Sequence, residues 1–241
     1  MKSGGDQTER VRLLIDTDVA LGIEHEGRPR DIDEAVEFLA ESLREAPAHL
    51  AAIGPLTDIG LLAFYHPELL NRVQSLIMVA GRSEDAPFYI GERGPIQDFN
   101  FENDVRAARL VLETEVTKIL IGFELTSQAA VTESDLHTIH RVGTDTAEYF
   151  YRNSLAWCRW WTRELPADAG FHPWDSAAIA WIRHPEYFHH QQRGLSIREL
   201  DKENHWLKCD QEYPGGTATY CTGFADGASA TFVRDLVAAV Y

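Results

Sequence analysis

The sequence predicts an α/β domain: a three-layer, mostly parallel sheet with helices on both faces and a more helical C-terminal part. Two observations carry that expectation. Short apolar runs of strand length recur through the first half of the chain, at Leu13–Ile15, Leu50–Ile53, Ser75–Ala80 and Lys118–Phe123. Stretches with apolar residues at helical spacing separate them. Such alternation implies parallel strands joined by helical crossovers. With 241 residues, the chain reads as one domain large enough for a sizeable core.

Met1 to Glu9 is polar and reads as a disordered start. Val11–Ile15 is the first strand, and Val19–Arg30, with Gly22, Gly27 and Pro29, reads as a loop. A helix is expected from Asp33, because Val36, Leu39, Ala40 and Leu43 share one face; Asp31 or Asp33 can cap it and Pro47 ends it. Leu50–Ile53 is a short strand broken by Gly54-Pro55, and Thr57 or Asp58 caps the next helix. Ser75–Ala80 is a buried strand. Ser83–Gln97, rich in Gly, Pro and charge, has the composition of an active-site loop closed by Asp98-Phe99-Asn100. A helix over about Asn103–Glu115 leads to the strand Lys118–Phe123.

Beyond residue 130 the pattern turns helical. Residues 145–165 form a long helix carrying Tyr149, Tyr151, Trp157, Trp160 and Trp161, whose aromatics read as core or as a subunit interface. Asp175 opens the apolar helix Ala177–Ile182. Short strands fit 194–198, 204–209 and 217–222, and Asp226–Val240 a last helix.

The formal net charge of −16 argues against nucleic acid or an anionic membrane as the main partner. It fits a small-molecule or cationic ligand. The three cysteines, Cys158, Cys209 and Cys221, lack metal-site spacing and suggest a reducing compartment. The N-terminus shows no signal-peptide pattern, and the expected location is the cytoplasm.

The chemistry gathers in Leu13–Glu34. An apolar strand ends in Asp16 and Asp18, which period-2 alternation points to one side, and Asp33-Glu34 follows at a helix start. Ligands of open α/β sheets bind at that strand end. Carboxylates gathered there would repel one another unless a hard, oxygen-loving cation such as Ca²⁺ or Mg²⁺ sat among them. The plainer reading is a strand end with solvated acids and an Asp helix cap.

Four stretches in order carry a family resemblance. They are Ile15-Asp16-Thr17-Asp18, Ile53-Gly54-Pro55-Leu56-Thr57-Asp58-Ile59, Asp98-Phe99-Asn100 and Pro173-Trp174-Asp175-Ser176-Ala177-Ala178. Together they resemble the nucleoside hydrolases, the inosine–uridine-preferring N-ribohydrolases. The resemblance implies a Rossmann-like sheet with Ca²⁺ at its C-terminal edge, a small nucleoside as substrate and a homodimer or homotetramer as the assembly. It implies Asp18 as metal ligand and general base, with Glu34, the Ile53 carbonyl and Asp175 as further ligands. Asp16 would be a supporting acid. Asp33 and Asn100 would bind the ribose hydroxyls, and Asp98 the 5′-hydroxyl, where the family usually has Glu.

Two departures from the family pattern leave alternatives open. The chain is shorter than such relatives between Asp33-Glu34 and the Gly54-Pro55-Leu56-Thr57 turn. Asp33-Glu34 is therefore either the family's acidic pair or only a helix cap. Trp174 stands where inosine–uridine members carry a His before the late Asp. It would either stack on a purine or pack in the core, with His172 two residues away. The function expected is Ca²⁺-dependent hydrolysis of a ribonucleoside's N-glycosidic bond. The alternatives are a non-catalytic relative that binds ligand or partner, and, from Asp16-x-Asp18, a metal-dependent phosphatase.

Overall fold

The computed structural model describes residues 11–16, 29–81, 89, 92–94, 96–199, 205–210 and 217–239, with residues 29–33, 206 and 208–210 described by their backbone alone. The first half alternates as expected: β1 (Leu13–Asp16), α1 (Pro29–Glu45), β2 (Ala48–Ala52), α2 (Thr57–Tyr65) and β3 (Val73–Val79). Then come the short α3 (Phe99–Glu102), α4 (Val105–Leu112), β4 (Lys118–Ile121) and α5 (Phe123–Thr126). The second half holds β5 (Val131–Thr132), α6 (Glu133–His140), α7 (Asp145–Glu164), β6 (Gly170–Phe171) and α8 (Ser176–Arg183). Three longer strands and a helix finish it: β7 (Phe188–Glu199), β8 (His205–Asp210), β9 (Thr217–Phe224) and α9 (Ala228–Ala238).

The main sheet has the order β1-β2-β3-β4-β9-β7-β8. The strands from β1 through β4 to β9 are parallel, while β7 runs antiparallel to both β9 and β8. Right-handed crossovers between strands laid down in spatial order put every connecting helix on one face. Accordingly α1, α2 and α4 bury Val36, Leu39, Leu43, Ile59, Leu62, Ala108 and Val111 against Leu50, Leu76, Met78 and Leu120. The alternate strand residues Ala51, Ile77, Val79, Ile119 and Ile121 form the other core, covered by Leu125, Ala177, Ala178 and Phe232 of α5, α8 and α9. Both faces are therefore covered, as an all-parallel stretch requires. A smaller cluster joins α6 and α7 to β5 and α9. Gly60 lets α2 and α4 approach closely, since a Cβ there would stand 2.7 Å from the Ala107 Cβ.

Several boundaries differ from the sequence reading, each for a local reason. Helix α1 begins at Pro29 rather than Asp33. Proline is tolerated at a helix's first position because its missing N–H would have had no partner there. Asp33 and Glu34 thus lie in the second turn and neither caps the helix. Leu56, not Thr57 or Asp58, holds the cap position of α2. The Thr57 hydroxyl donates instead to Asp104 Oδ2 at 2.9 Å, and burial raises the Asp58 carboxyl above its usual range. The helix expected over about Asn103–Glu115 is α4, and the short α3 precedes it; each is started by an aspartate accepting from a backbone N–H, Asp98 from Phe101 at 3.1 Å and Asp104 from Ala107 at 3.0 Å. β7 extends back to Phe188, well before the expected 194. Met1 to Glu9 and most of the loop after β1 lie outside the described residues.

Towards the N-terminal ends of the strands, a histidine meets a serine of the neighbouring strand. His49 and Ser75 stand side by side on β2 and β3, with His49 Nδ1 2.7 Å from Ser75 Oγ. Burial holds the His49 pKa below the ordinary histidine value, so the folded chain favours neutral imidazole. As pH falls past about 6.5, the ordinary histidine value, the unfolded chain takes up this proton first. The stability contributed by this group is therefore present above that pH and lost below it. Thermal melts from neutral to mildly acidic pH should show the wild-type Tm falling more steeply than that of His49→Gln. Equal slopes would rule the effect out.

Candidate functional site

In a parallel sheet all strands open their C-terminal ends at one edge, which here means Asp16, Ile53, Val79–Gly81 and Ile121-Gly122. A cleft of about 380 Å³ lies at that edge. Its floor is the strand ends from Ile53 to Ile121, one wall is the segment Ile96–Asn100, and the other holds Phe123, Thr126, Trp174 and Asp175.

The wall Asp98-Phe99-Asn100 is fastened to the floor through the backbone. Asn100 Nδ2 donates to the carbonyls of Ile53 at 3.0 Å and Val79 at 2.7 Å. Both neighbours are acceptors, so the amide nitrogen must face them. The Asp98 carboxylate accepts from the Phe101 N–H with Oδ1 and from the Gly81 N–H with Oδ2. Its own N–H donates to Glu102 Oε1 at 2.9 Å. Gly81 turns the chain out of β3 at φ +89, a conformation that favours glycine. The Gly81 carbonyl accepts from the Phe123 N–H at 3.1 Å, joining the ends of β3 and β4.

The opposite wall rests on aromatics. Trp174 packs edge-on to Trp161, ring centres 5.4 Å apart. Trp161 is 1% exposed and donates from Nε1 to Asp168 Oδ2 at 2.9 Å. Asp175 has helical backbone angles just before α8, and its side chain makes no capping bond.

Of the residues singled out in the sequence, Ile53, Asp98, Asn100, Trp174 and Asp175 line this one cleft. Asp16 adjoins it: it is buried at the end of β1, and its carbonyl accepts from the Ile53 N–H at 2.9 Å. Glu34 stands exposed on α1 and is not in the lining. His172 is buried elsewhere, with Nδ1 2.7 Å from the Ala129 carbonyl and Nε2 3.2 Å from Asp168 Oδ2. Asp18 lies outside the described residues, and Asp33 is described by its backbone alone. Phe123 and Thr126 line the cleft and were not foreseen. The available signal was Gly122, directly after an apolar strand, where the chain must turn at the ligand edge.

The described donors at this edge are all oxygens: the carboxylates of Asp16 and Asp175 and the Ile53 carbonyl. By type they suit a hard cation. The Ile53 oxygen has two lone pairs, and the Asn100 amide takes one. Among the described residues no three His, Cys, Asp or Glu side chains gather into a metal-binding group.

Fold and cleft define the class first: an open, mostly parallel α/β sheet with its ligand cleft at the carboxyl ends of the strands. The particular family follows from comparison. Residues 8–223 match the family model of the inosine-uridine preferring nucleoside hydrolases, and the chain belongs to that family. Among curated relatives, the pyrimidine-specific ribonucleoside hydrolase RihA of Salmonella gallinarum is 25% identical over 207 residues, covering 85% of this chain and 65% of the relative. The RihA of Photobacterium profundum is 28% identical over 162 residues, covering 64% of this chain and 49% of the relative. The chain thus spans about half to two thirds of the length of these relatives. A purine-preferring ribonucleoside hydrolase from Gardnerella vaginalis has the same fold, with a TM-score of 0.73 at 16% identity over 86% of this chain and 66% of that one. A plant nucleoside hydrolase, PpNRh1, gives a TM-score of 0.71 at 17% identity over 88% of this chain and 69% of its own.

Proposed function

We propose that the chain hydrolyses the N-glycosidic bond of a ribonucleoside, releasing free base and ribose, with Ca²⁺ at the carboxyl edge of the sheet. The observation that carries this reading is the cleft itself, which joins an oxygen-donor end to an aromatic wall. Asp175, the Ile53 carbonyl and Asp18 would hold the ion, with Asp16 in support; Glu34, the further ligand that the resemblance implies, stands outside the described lining of the cleft. Ca²⁺ bound there would draw in the ribose hydroxyls and make a water more acidic.

Asp18 would act as general base on the attacking water, whose oxygen would bond to the anomeric carbon as the C–N bond breaks and the base leaves with a proton from solvent. The oxocarbenium-like charge that develops on the sugar is stabilised by the surrounding carboxylates. Asp33, Asp98 and Asn100 serve the ribose hydroxyls; Asn100 does so with its carbonyl oxygen, because its amide hydrogens are spent on Ile53 and Val79. Trp174, on the apolar side of the cleft, stacks on the departing base.

A second reading rests on the short connection between Asp33-Glu34 and the Gly54-Pro55-Leu56-Thr57 turn, a single helix and strand. It fits a binding protein that has kept the cleft and lost turnover. A panel of purine and pyrimidine nucleosides separates the two by reducing-sugar release, with and without EDTA. Release from at least one nucleoside, abolished by EDTA and restored by Ca²⁺, is the expected result. Nucleoside binding without release would favour the second reading, and release indifferent to EDTA would remove Ca²⁺ from the proposal.

A further inference from the structure

The Trp174 ring is set from behind the cleft, by side chains outside its described lining. The arrangement starts at Gly170. β6 pairs antiparallel with β5, Phe171 opposite Val131 and Gly170 opposite Thr132. A Cβ at Gly170 would stand 2.0 Å from the Val131 carbonyl oxygen, so only glycine lets the strands approach this closely. The pairing brings His172 to the segment before β5, where its Nδ1 lies 2.7 Å from the Ala129 carbonyl oxygen. A carbonyl only accepts, so Nδ1 donates. Two residues further on, the chain reaches Trp174.

One oxygen ties together two rings packed against Trp174. Trp161 meets the Trp174 ring edge-on at 5.4 Å and 77°, and His172 lies beside it at 6.1 Å and 31°. Trp161 and His172 also meet each other, at 5.5 Å and 86°. Asp168 Oδ2 accepts from Trp161 Nε1 at 2.9 Å and stands 3.2 Å from His172 Nε2. The Asp168 backbone is fixed in turn, its N–H donating to the Leu165 carbonyl at 3.0 Å in the turn after α7. Both His172 nitrogens are engaged within this bracket, so the ring serves packing there rather than proton transfer in the cleft. Trp161 is buried, and a buried indole N–H needs an acceptor. Without Asp168 the Trp161 ring turns towards another acceptor, and the support under Trp174 shifts.

We propose that Asp168 is a positioning residue for nucleoside binding: through Trp161 and His172 it holds the Trp174 ring at the angle at which a planar base stacks on it. The role rests on the reading of the cleft as a nucleoside site. Asp168 touches neither base nor sugar, and its effect passes through the two rings. A stacking ring fixed in advance spares each binding event the ordering of a loose side chain. The base is the part of the ligand that gains. The ribose hydroxyls, held by the oxygen donors of the cleft, do not depend on the angle of Trp174.

Steady-state kinetics of the full chain on a nucleoside, with free ribose as competing ligand, separate this role from a merely structural one. Asp168→Leu keeps a side chain of similar size but offers no acceptor. It should raise the nucleoside KM about three- to tenfold, the worth of one lost hydrogen bond. Little change is expected in kcat, and none in the inhibition constant of ribose. Asp168→Asn keeps an oxygen acceptor for Trp161 and should bring KM most of the way back to the wild-type value. Trp161→Phe removes the same bond from its other side. It should raise KM to a similar extent, and Trp161→Phe combined with Asp168→Leu should do little more than either alone. Equal losses for nucleoside and ribose would make Asp168 merely structural and overturn the proposal. So would a nucleoside KM indifferent to Asp168→Leu, an Asp168→Asn no better than Asp168→Leu, or additive effects in the double variant. A wild type that neither binds nor cleaves any nucleoside would instead remove the nucleoside reading, and this role with it.

Discussion

Trp161→Ala is expected to cost about 3–5 kcal/mol of folding stability, the range for emptying a buried tryptophan site. In a chain of this size that lowers Tm by roughly 6–20 °C. Trp161 is 1% exposed and meets four rings: Trp157, Trp160, His172 and Trp174, with centres 5.4 to 6.3 Å away. Its loss opens a cavity that these rings, each anchored on a different turn, cannot close. It also removes the N–H donor from Asp168, which then keeps only its contact with His172. Trp161→Phe separates the two effects. It keeps most of the ring volume and loses the hydrogen bond, for about 1 kcal/mol. Calorimetric melts of wild type and both variants check this, and a Tm unchanged by the alanine would show that the cluster is not packed as described. Because Trp174 leans on Trp161, any nucleoside affinity should fall in Trp161→Ala even at temperatures where the chain remains folded.

The second large effect concerns chemistry. On the proposed reading, Asp18→Asn removes the general base while leaving size and shape almost unchanged. Ribose release should fall about 10²- to 10⁴-fold, the usual contribution of a positioned base. An amide neither accepts the proton nor lends negative charge to a cation, so calorimetry should also show weaker Ca²⁺ binding. Tm measured without Ca²⁺ guards against a folding artefact. Full activity in Asp18→Asn would move the base elsewhere in the cleft. Loss of Ca²⁺ binding in a wild type that still released ribose would detach the metal from turnover.

The parallel half of the fold was legible because its signals are local. The strands at 50, 75 and 118 are short, apolar and bounded by breakers, and the helices between them repeat at helical spacing. β7 was largely hidden because His189, His190, Gln191 and Gln192 are polar and exposed, and only its end alternates visibly. The start of α1 was misplaced because Pro29 marks a turn and a helix's first residue equally well. Motif order singled out Ile53, Asp98, Asn100, Trp174 and Asp175, and these line one cleft. What each side chain does there was not legible. The Asn100 partners Ile53 and Val79 are backbone oxygens of distant segments, and Asp98 reaches Gly81 in the same way. No residue spacing announces a contact with a main-chain group. His172 was placed near the ligand by its spacing from Trp174; both rings pack on Trp161, but the Ala129 carbonyl and Asp168 hold the His172 ring nitrogens, contacts that no spacing announces.

The position of β9 bears on how the chain reaches this structure. That strand, residues 217–224, lies between β4 and β7 in the sheet. The last strand among the described residues is therefore an interior one, and β4 lacks that neighbour until it arrives. Until then the apolar face of Ile77, Val79, Ile119 and Ile121 also waits for α8 and α9. A ribosome-bound chain must hold four parallel strands with one face uncovered. Contacts of such long sequence separation make folding slow and the waiting intermediate prone to association. Yield on expression should therefore depend on chaperone supply and growth temperature more than on the melting temperature of the finished protein.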